Sequence, residues 1–179
     1  GALAPAGAQG ISDAAGLYFC SGNEQYLVLN LEEWASMRQT FYHETAHAID
    51  CYINGTAYQS FQSGEWESLN PEGFSYAYSY AEDQEDLNGS WVAGLSLSEP
   101  AYLVDTYSKT FPAEDRARIL EYAMAFGDLP VYFQEGPIQQ KLSYLCSRIR
   151  EAFDTAGWPE KTLWEAPLKE NLKDFEKTN

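Results

Sequence analysis

The stretch "FYHETAHAID", Phe41 to Asp50, constrains this chain more than any other, because it holds both of the histidines found among 179 residues. His43 and His47 stand four apart with Glu44 directly after the first. Residues i and i+4 share one face of a helix, so a helix here aims two imidazoles at one point. Glu44 then lies about 100° round the axis, able to reach a water beside a bound ion without being a ligand. That is the HExxH arrangement of a zinc hydrolase, with Glu44 as general base. Two isolated histidines could also sit on a surface or in a core, but the order His, Glu, His at this spacing rarely arises by accident. Asp50, three residues beyond His47, is expected to orient one imidazole from behind, or else to be an ordinary solvated helix residue.

The flanking pattern supports the helix. In "EEWASMRQTFYHETAHAIDCYIN" the apolar residues Trp34, Met37, Phe41, Ala48, Ile49, Tyr52 and Ile53 recur at helical spacing. Glu32 and Glu33 favour a start, and Asn54-Gly55 a stop. Upstream, "GLYFCSGNEQYLVLNL" predicts two short strands around a Ser-Gly-Asn turn. Residues 56–103 lose periodicity, and an aromatic, acidic, irregular excursion is expected there, one that could shape a cleft, cover it or meet a partner. A second helix is predicted from Pro112, with Glu114 and Asp115 in its first turn and a stripe of Ala113, Ala117, Leu120, Ala123 and Met124 ending at Gly127. A third runs from about Pro137 to Phe153, with Ile138, Leu142, Leu145, Ile149 and Phe153 on one face. The expected fold is α+β: a short mixed or antiparallel sheet, an active-site helix, a ligand-bearing helix and a C-terminal packing helix. The expected organisation is a flexible linker over 1–15, one domain over 16–165, partly ordered through Trp158 and Trp164 at its end, and a tail over 166–179.

Composition limits the partners. A formal net charge of −16 argues against nucleic acid and against anionic membrane surfaces. It serves solubility first, and an acidic rim that attracts basic substrates second. No apolar run is long enough for membrane insertion. The three cysteines, Cys20, Cys51 and Cys146, lack metal-type spacing; at most one disulfide could form, and Cys51 with Cys146 is one conceivable pair. A secreted or cell-surface location and a monomeric state are the expectations, with any signal peptide lying upstream of the uncharged start.

Two histidines cannot close a zinc site, which takes three protein ligands and a water when catalytic. With no third His, a carboxylate is required. Glu82 in "SYAYSYAEDQEDLN" and Glu114 in "YSKTFPAEDRA" are the candidates. Glu114 starts a predicted amphipathic helix whose positive end favours the ionised ligand form, and whose apolar stripe would hold it rigidly. Glu82 sits among Asp83, Glu85 and Asp86, a run that suits a solvated face or, less readily, a hard cation such as calcium. Glu114 is therefore favoured.

With these residues the chain resembles the gluzincin metallopeptidases, specifically the anthrax lethal factor-like group. "HETAHAID" is similar to that group's HExxHxxD helix, and "YSKTFPAEDRA" to its later segment, where a Tyr precedes the Glu ligand by seven residues. Tyr107 and Glu114 meet that spacing; Ser75 stands seven before Glu82. The resemblance implies that His43, His47 and Glu114 bind one Zn2+, that Glu44 activates water, and that Tyr107 donates a hydrogen bond to the oxyanion. It also implies that the "QYLVLNL" strand pairs with an extended peptide or protein substrate. The group often carries a second Glu four residues after the ligand, and here that position is Arg118. The implied function is zinc-dependent endopeptidase; the rival is a non-catalytic secreted or surface binding module that keeps a structural zinc site.

Overall fold

The computed structural model describes residues 14–21, 24–33, 35–56, 63–80, 90–95, 100–125 and 129–168. Within them the chain forms a small α+β fold of one two-stranded antiparallel sheet and four helices. Strands β1 (Gly16–Ser21) and β2 (Glu24–Leu29) pair in the register Gly16↔Leu29 through Ser21↔Glu24. Aromatic and branched residues favour this ribbon, and the opposed Phe19 and Tyr26 rings stack at 4.9 Å.

Helix α1 (Met37–Thr56) carries both histidines. It begins later than Glu32 and Glu33 suggest. The Asn30 Oδ1 accepts the Glu32 N–H at 3.0 Å, and the chain makes a short 3-10 turn over Leu31–Glu33 before the helix starts. This local side-chain bond competes with helix initiation. Of the apolar stripe expected on α1, Trp34 lies outside the described residues and only Ile53 belongs to the buried face. Ile53 is buried, but so are Glu44, Ala46 and Asp50, while Phe41 and Tyr52 are exposed. The inward face of α1 is largely polar because it is the face that carries the site.

Past α1, a short helix α2 (Ser63–Glu67) plants Trp66 fully in the core, and Tyr76, Val92 and Leu103 follow it inward. A part of the excursion that sequence periodicity could not interpret is therefore core. Residues 74–80 run as irregular chain beside the segment before the next helix, with Ala77 N–H donating to Lys109 O at 2.9 Å and Tyr78 N–H to Thr110 O at 2.8 Å.

Helix α3 (Pro112–Ala125) starts at the expected proline and is the central element. It packs against α1 on one side and α4 (Pro137–Ala152) on another. α1 and α3 run antiparallel: Arg38 reaches the carbonyl of Ala125, and Asp50 reaches Arg116. Burial of α3 on several sides is unusual for its composition, since Glu114, Asp115, Arg116 and Glu121 are all buried. Buried charges persist only when paired, and each is. The fully buried Lys141 Nζ on α4 lies 2.7 Å from Asp115 Oδ2 and also donates to Asn70 Oδ1 and the Tyr102 carbonyl. α4 follows its predicted pattern, burying Ile138, Leu142, Leu145, Cys146 and Ile149.

The chain after α4 is held by a capping box in which Thr162 and Glu165 bond reciprocally. Trp158 and Trp164 meet edge-on at 5.9 Å, and Leu168 is buried, so the core reaches three residues past the expected boundary at 165. Cys51 and Cys146 do not form the disulfide considered above. No described helix is long and apolar enough to cross a membrane.

Candidate metal centre

Two helices meet at the site. α1 presents His43 and His47 one turn apart, and the first turn of α3 presents Glu114. His43 Nε2 lies 3.1 Å from Glu114 Oε2, His47 Nε2 lies 3.2 Å from the same oxygen, and the two Nε2 atoms are 3.1 Å apart. An ion held tetrahedrally at about 2.0–2.1 Å separates its ligand atoms by about 3.3–3.4 Å. The near-equilateral triangle of lone-pair donors therefore fits the ligand spacing of one small cation, and His43, His47 and Glu114 could hold a metal ion. Glu82, the alternative third ligand, lies outside the described residues.

The ligands are themselves oriented. His43 Nδ1–H donates to Glu121 Oε2 at 3.1 Å, which fixes the tautomer that leaves Nε2 free for the triangle. Glu121 is held in turn by Arg118 Nη1 at 2.7 Å, and Arg118 Nε lies 3.1 Å from Asp105 Oδ2. Tyr80 donates its hydroxyl to Glu114 Oε1 at 2.6 Å, leaving Oε2 to face the imidazoles. Asp50 makes a two-pronged pair with Arg116, at 3.0 and 2.7 Å, which ties α1 to α3 one turn past His47.

Tyr107 opens a 3-10 turn over Tyr107–Lys109 that is pinned when Ser108 donates N–H and hydroxyl to Asp105 Oδ1. Its ring lies 6.2 Å from that of His43, with the Arg118 guanidinium 5.0 Å over its face. Its hydroxyl lies in the field of the Glu114 carboxylate. Glu44 is 6% exposed, and the Tyr18 backbone N–H donates to its carboxylate. Gly16 lies against it: a Cβ at that position would stand 2.8 Å from Glu44 Oε1.

A cleft of about 360 Å³ runs between these groups, with Gly16, His43, Glu44, Tyr107, Arg118 and Glu121 among its walls. Residues 14–16 at the start of β1 border it, and β2, the strand expected to receive substrate, contributes nothing to its lining.

Electrostatics follow from burial and pairing. Burial alone would lower the His43 pKa, but hydrogen bonds to the Glu114 and Glu121 carboxylates outweigh it and push it up to about 9, so a metal at Nε2 would have to displace a proton there. Burial would raise Glu114, yet bonds from His43, His47 and Tyr80 hold it far below the ordinary carboxylate range, ionised and ready to ligate. Burial raises Glu44, with His43 and His47 opposing; a raised carboxylate is better matched to accepting a proton near neutral pH. Burial and the Glu114 charge raise Tyr80 and Tyr107, so both keep their protons as donors.

Glu121, Arg118 and Tyr80 are the functional neighbours that sequence reasoning missed. Glu121 had a faint signal, standing two helical turns after Glu114 on the same face of α3. Tyr80 had none, because only tertiary packing brings residues 74–80 to α3. Comparison with protein-family models, with curated proteins and with solved structures gives no match to this chain.

Proposed function

We propose that the protein is a zinc-dependent peptidase with a zincin-type domain. The observation that carries this reading is the cleft itself: a buried carboxylate, Glu44, and a phenol, Tyr107, line one space beside the triangle of His43, His47 and Glu114. Two imidazole nitrogens and one carboxylate oxygen are a donor set that zinc accepts with a fourth position open. When bound, zinc supplies Lewis acidity that polarises a carbonyl and acidifies a water.

The rest is the work of this chain's own groups. Glu44 takes the proton of the attacking water and passes it to the departing amine nitrogen. Tyr107 donates its O–H to the carbonyl oxygen as that oxygen gains negative charge, an interaction worth about 3–4 kcal/mol in comparable sites. Glu121 keeps the His43 imidazole in its ligating tautomer. An extended peptide or protein lying along the start of β1 would pass Glu44. A secreted or cell-surface setting suits such an enzyme.

The test is zinc analysis together with hydrolysis of a diverse peptide library by the parent and by Glu44→Gln. Stoichiometric zinc in both and cleavage by the parent alone are expected. Absence of stoichiometric zinc under metal-replete conditions sinks the reading. Zinc without cleavage of any peptide supports the binding-module alternative, and cleavage that survives Glu44→Gln removes Glu44 as the base.

A further inference from the structure

Two tyrosines stand beside the ligand carboxylate, and the geometry separates their tasks. Tyr107 stands in the wall of the cleft, facing His43 and Arg118. Tyr80 is not part of that wall. Its hydroxyl donates to Glu114 Oε1 at 2.6 Å, and its ring is wedged against Phe111 at 4.5 Å and stacked beside Tyr107 at 6.2 Å. The backbone behind it is clamped to the segment before α3 through Ala77 and Tyr78. Four residues earlier, Tyr76 makes the matching bond to the next carboxylate of α3, donating to Asp115 Oδ2 at 2.7 Å while accepting from Trp66 Nε1 and Asn70 Nδ2. One segment thus fastens two consecutive carboxylates of the ligand helix by two tyrosines at i and i+4.

We propose that Tyr80 is a positioning residue for the metal ligand. It occupies Glu114 Oε1 so that the carboxylate meets the ion through Oε2 alone, and it keeps holding Glu114 when Tyr107 turns its hydroxyl to the substrate. This rests on the peptidase reading for Tyr107 but not for the metal site. A carboxylate with one oxygen satisfied by a fixed donor has one ligating oxygen and one orientation, and loss of such a partner typically weakens metal binding about 10–100-fold. Tyr107 acts on substrate, so its loss should leave the metal in place.

The experiment titrates Zn2+ against a chromophoric chelator in the parent, Tyr80→Phe, Tyr107→Phe and Tyr78→Phe, with thermal unfolding in excess chelator as the fold control. Tyr78 is an exposed neighbour whose hydroxyl bonds Glu67, well away from Glu114, and it serves as the comparison. The expected result is a Kd raised about tenfold by Tyr80→Phe alone, with unfolding in chelator unchanged. Peptide hydrolysis then adds a split: saturating Zn2+ restores kcat to Tyr80→Phe and not to Tyr107→Phe. A Kd for Tyr80→Phe within twofold of the parent overturns the proposal, as does an equal weakening by Tyr107→Phe. If the parent binds Zn2+ but cleaves nothing, the peptidase reading fails while the Kd comparison still decides the role of Tyr80.

Discussion

Gly16→Ala is the most informative single substitution in the molecule. Gly16 does not use a left-handed backbone, so an added methyl is opposed by sterics alone. Its Cβ would stand 2.5 Å from Thr40 Cγ2, 2.8 Å from Glu44 Oε1 and 2.9 Å from Glu44 Cγ. Non-bonded carbons prefer about 3.5–4.0 Å, so something must give by about 0.5–1 Å. Thr40 resists rotation because its hydroxyl donates to the Ser36 carbonyl at 3.2 Å. Strand β1 resists because it is paired with β2 along its whole length. Glu44 is the softest neighbour, and moving it moves the proposed general base. Overpacking of this kind costs about 1–3 kcal/mol, and stiffening the unfolded chain by Gly→Ala returns about 0.4–1. A net loss on the order of 1–2 kcal/mol lowers Tm by about 2–8 °C in a domain of this size. Activity should fall further than stability, by about 100-fold in kcat/KM, since displacing a reacting group by 1 Å costs that much. Zinc affinity should hold, because Gly16 touches none of the three ligands. Urea unfolding, chelator competition and peptide hydrolysis on one preparation measure all three. A variant with kcat/KM within twofold of the parent would refute the argument that β1 sets the position of Glu44.

Other expectations follow from the buried charges. Glu114→Gln should abolish zinc binding by chelator competition, and Glu82→Gln should leave it intact. Glu121→Met should weaken zinc about 10–100-fold by removing the acceptor for His43 Nδ1–H, with little change in Tm in excess chelator. Lys141→Met leaves Asp115 buried and charged without its cation, which should cost about 3–5 kcal/mol in urea unfolding; Lys141→Met with Asp115→Asn should recover much of it. Burial raises Glu165, but Arg150 and Thr162 outweigh it and hold its carboxyl below the ordinary value. The folded pKa is depressed, so its stabilisation is present above the unfolded value near 4.5 and is lost as pH falls through the folded one. Unfolding followed from pH 6 downward should show Glu165→Gln with a shallower acid decline than the parent.

The helix with His43 and His47, the start of α3 at Pro112 and the face of α4 were all legible in the sequence. Each depends on local rules: a period near 3.6, a proline at a first turn, a run of apolar residues on one side. The grouping of His43, His47 and Glu114 was legible too, since two histidines at i and i+4 call for a carboxylate if they are to hold an ion, and the first turn of a helix is a good place for one. What tertiary structure decided was how that site is held. α3 is buried between α1 and α4, so its charged residues must each find a partner, and those partners come from distant parts of the chain. His43 meets Glu121 across 78 residues, and Lys141 meets Asp115 across two helices. Tyr80 reaches Glu114 from an excursion with no periodicity to read. Local spacing fixes which way a side chain leaves its own helix; only the packing of one element on another determines what it meets there.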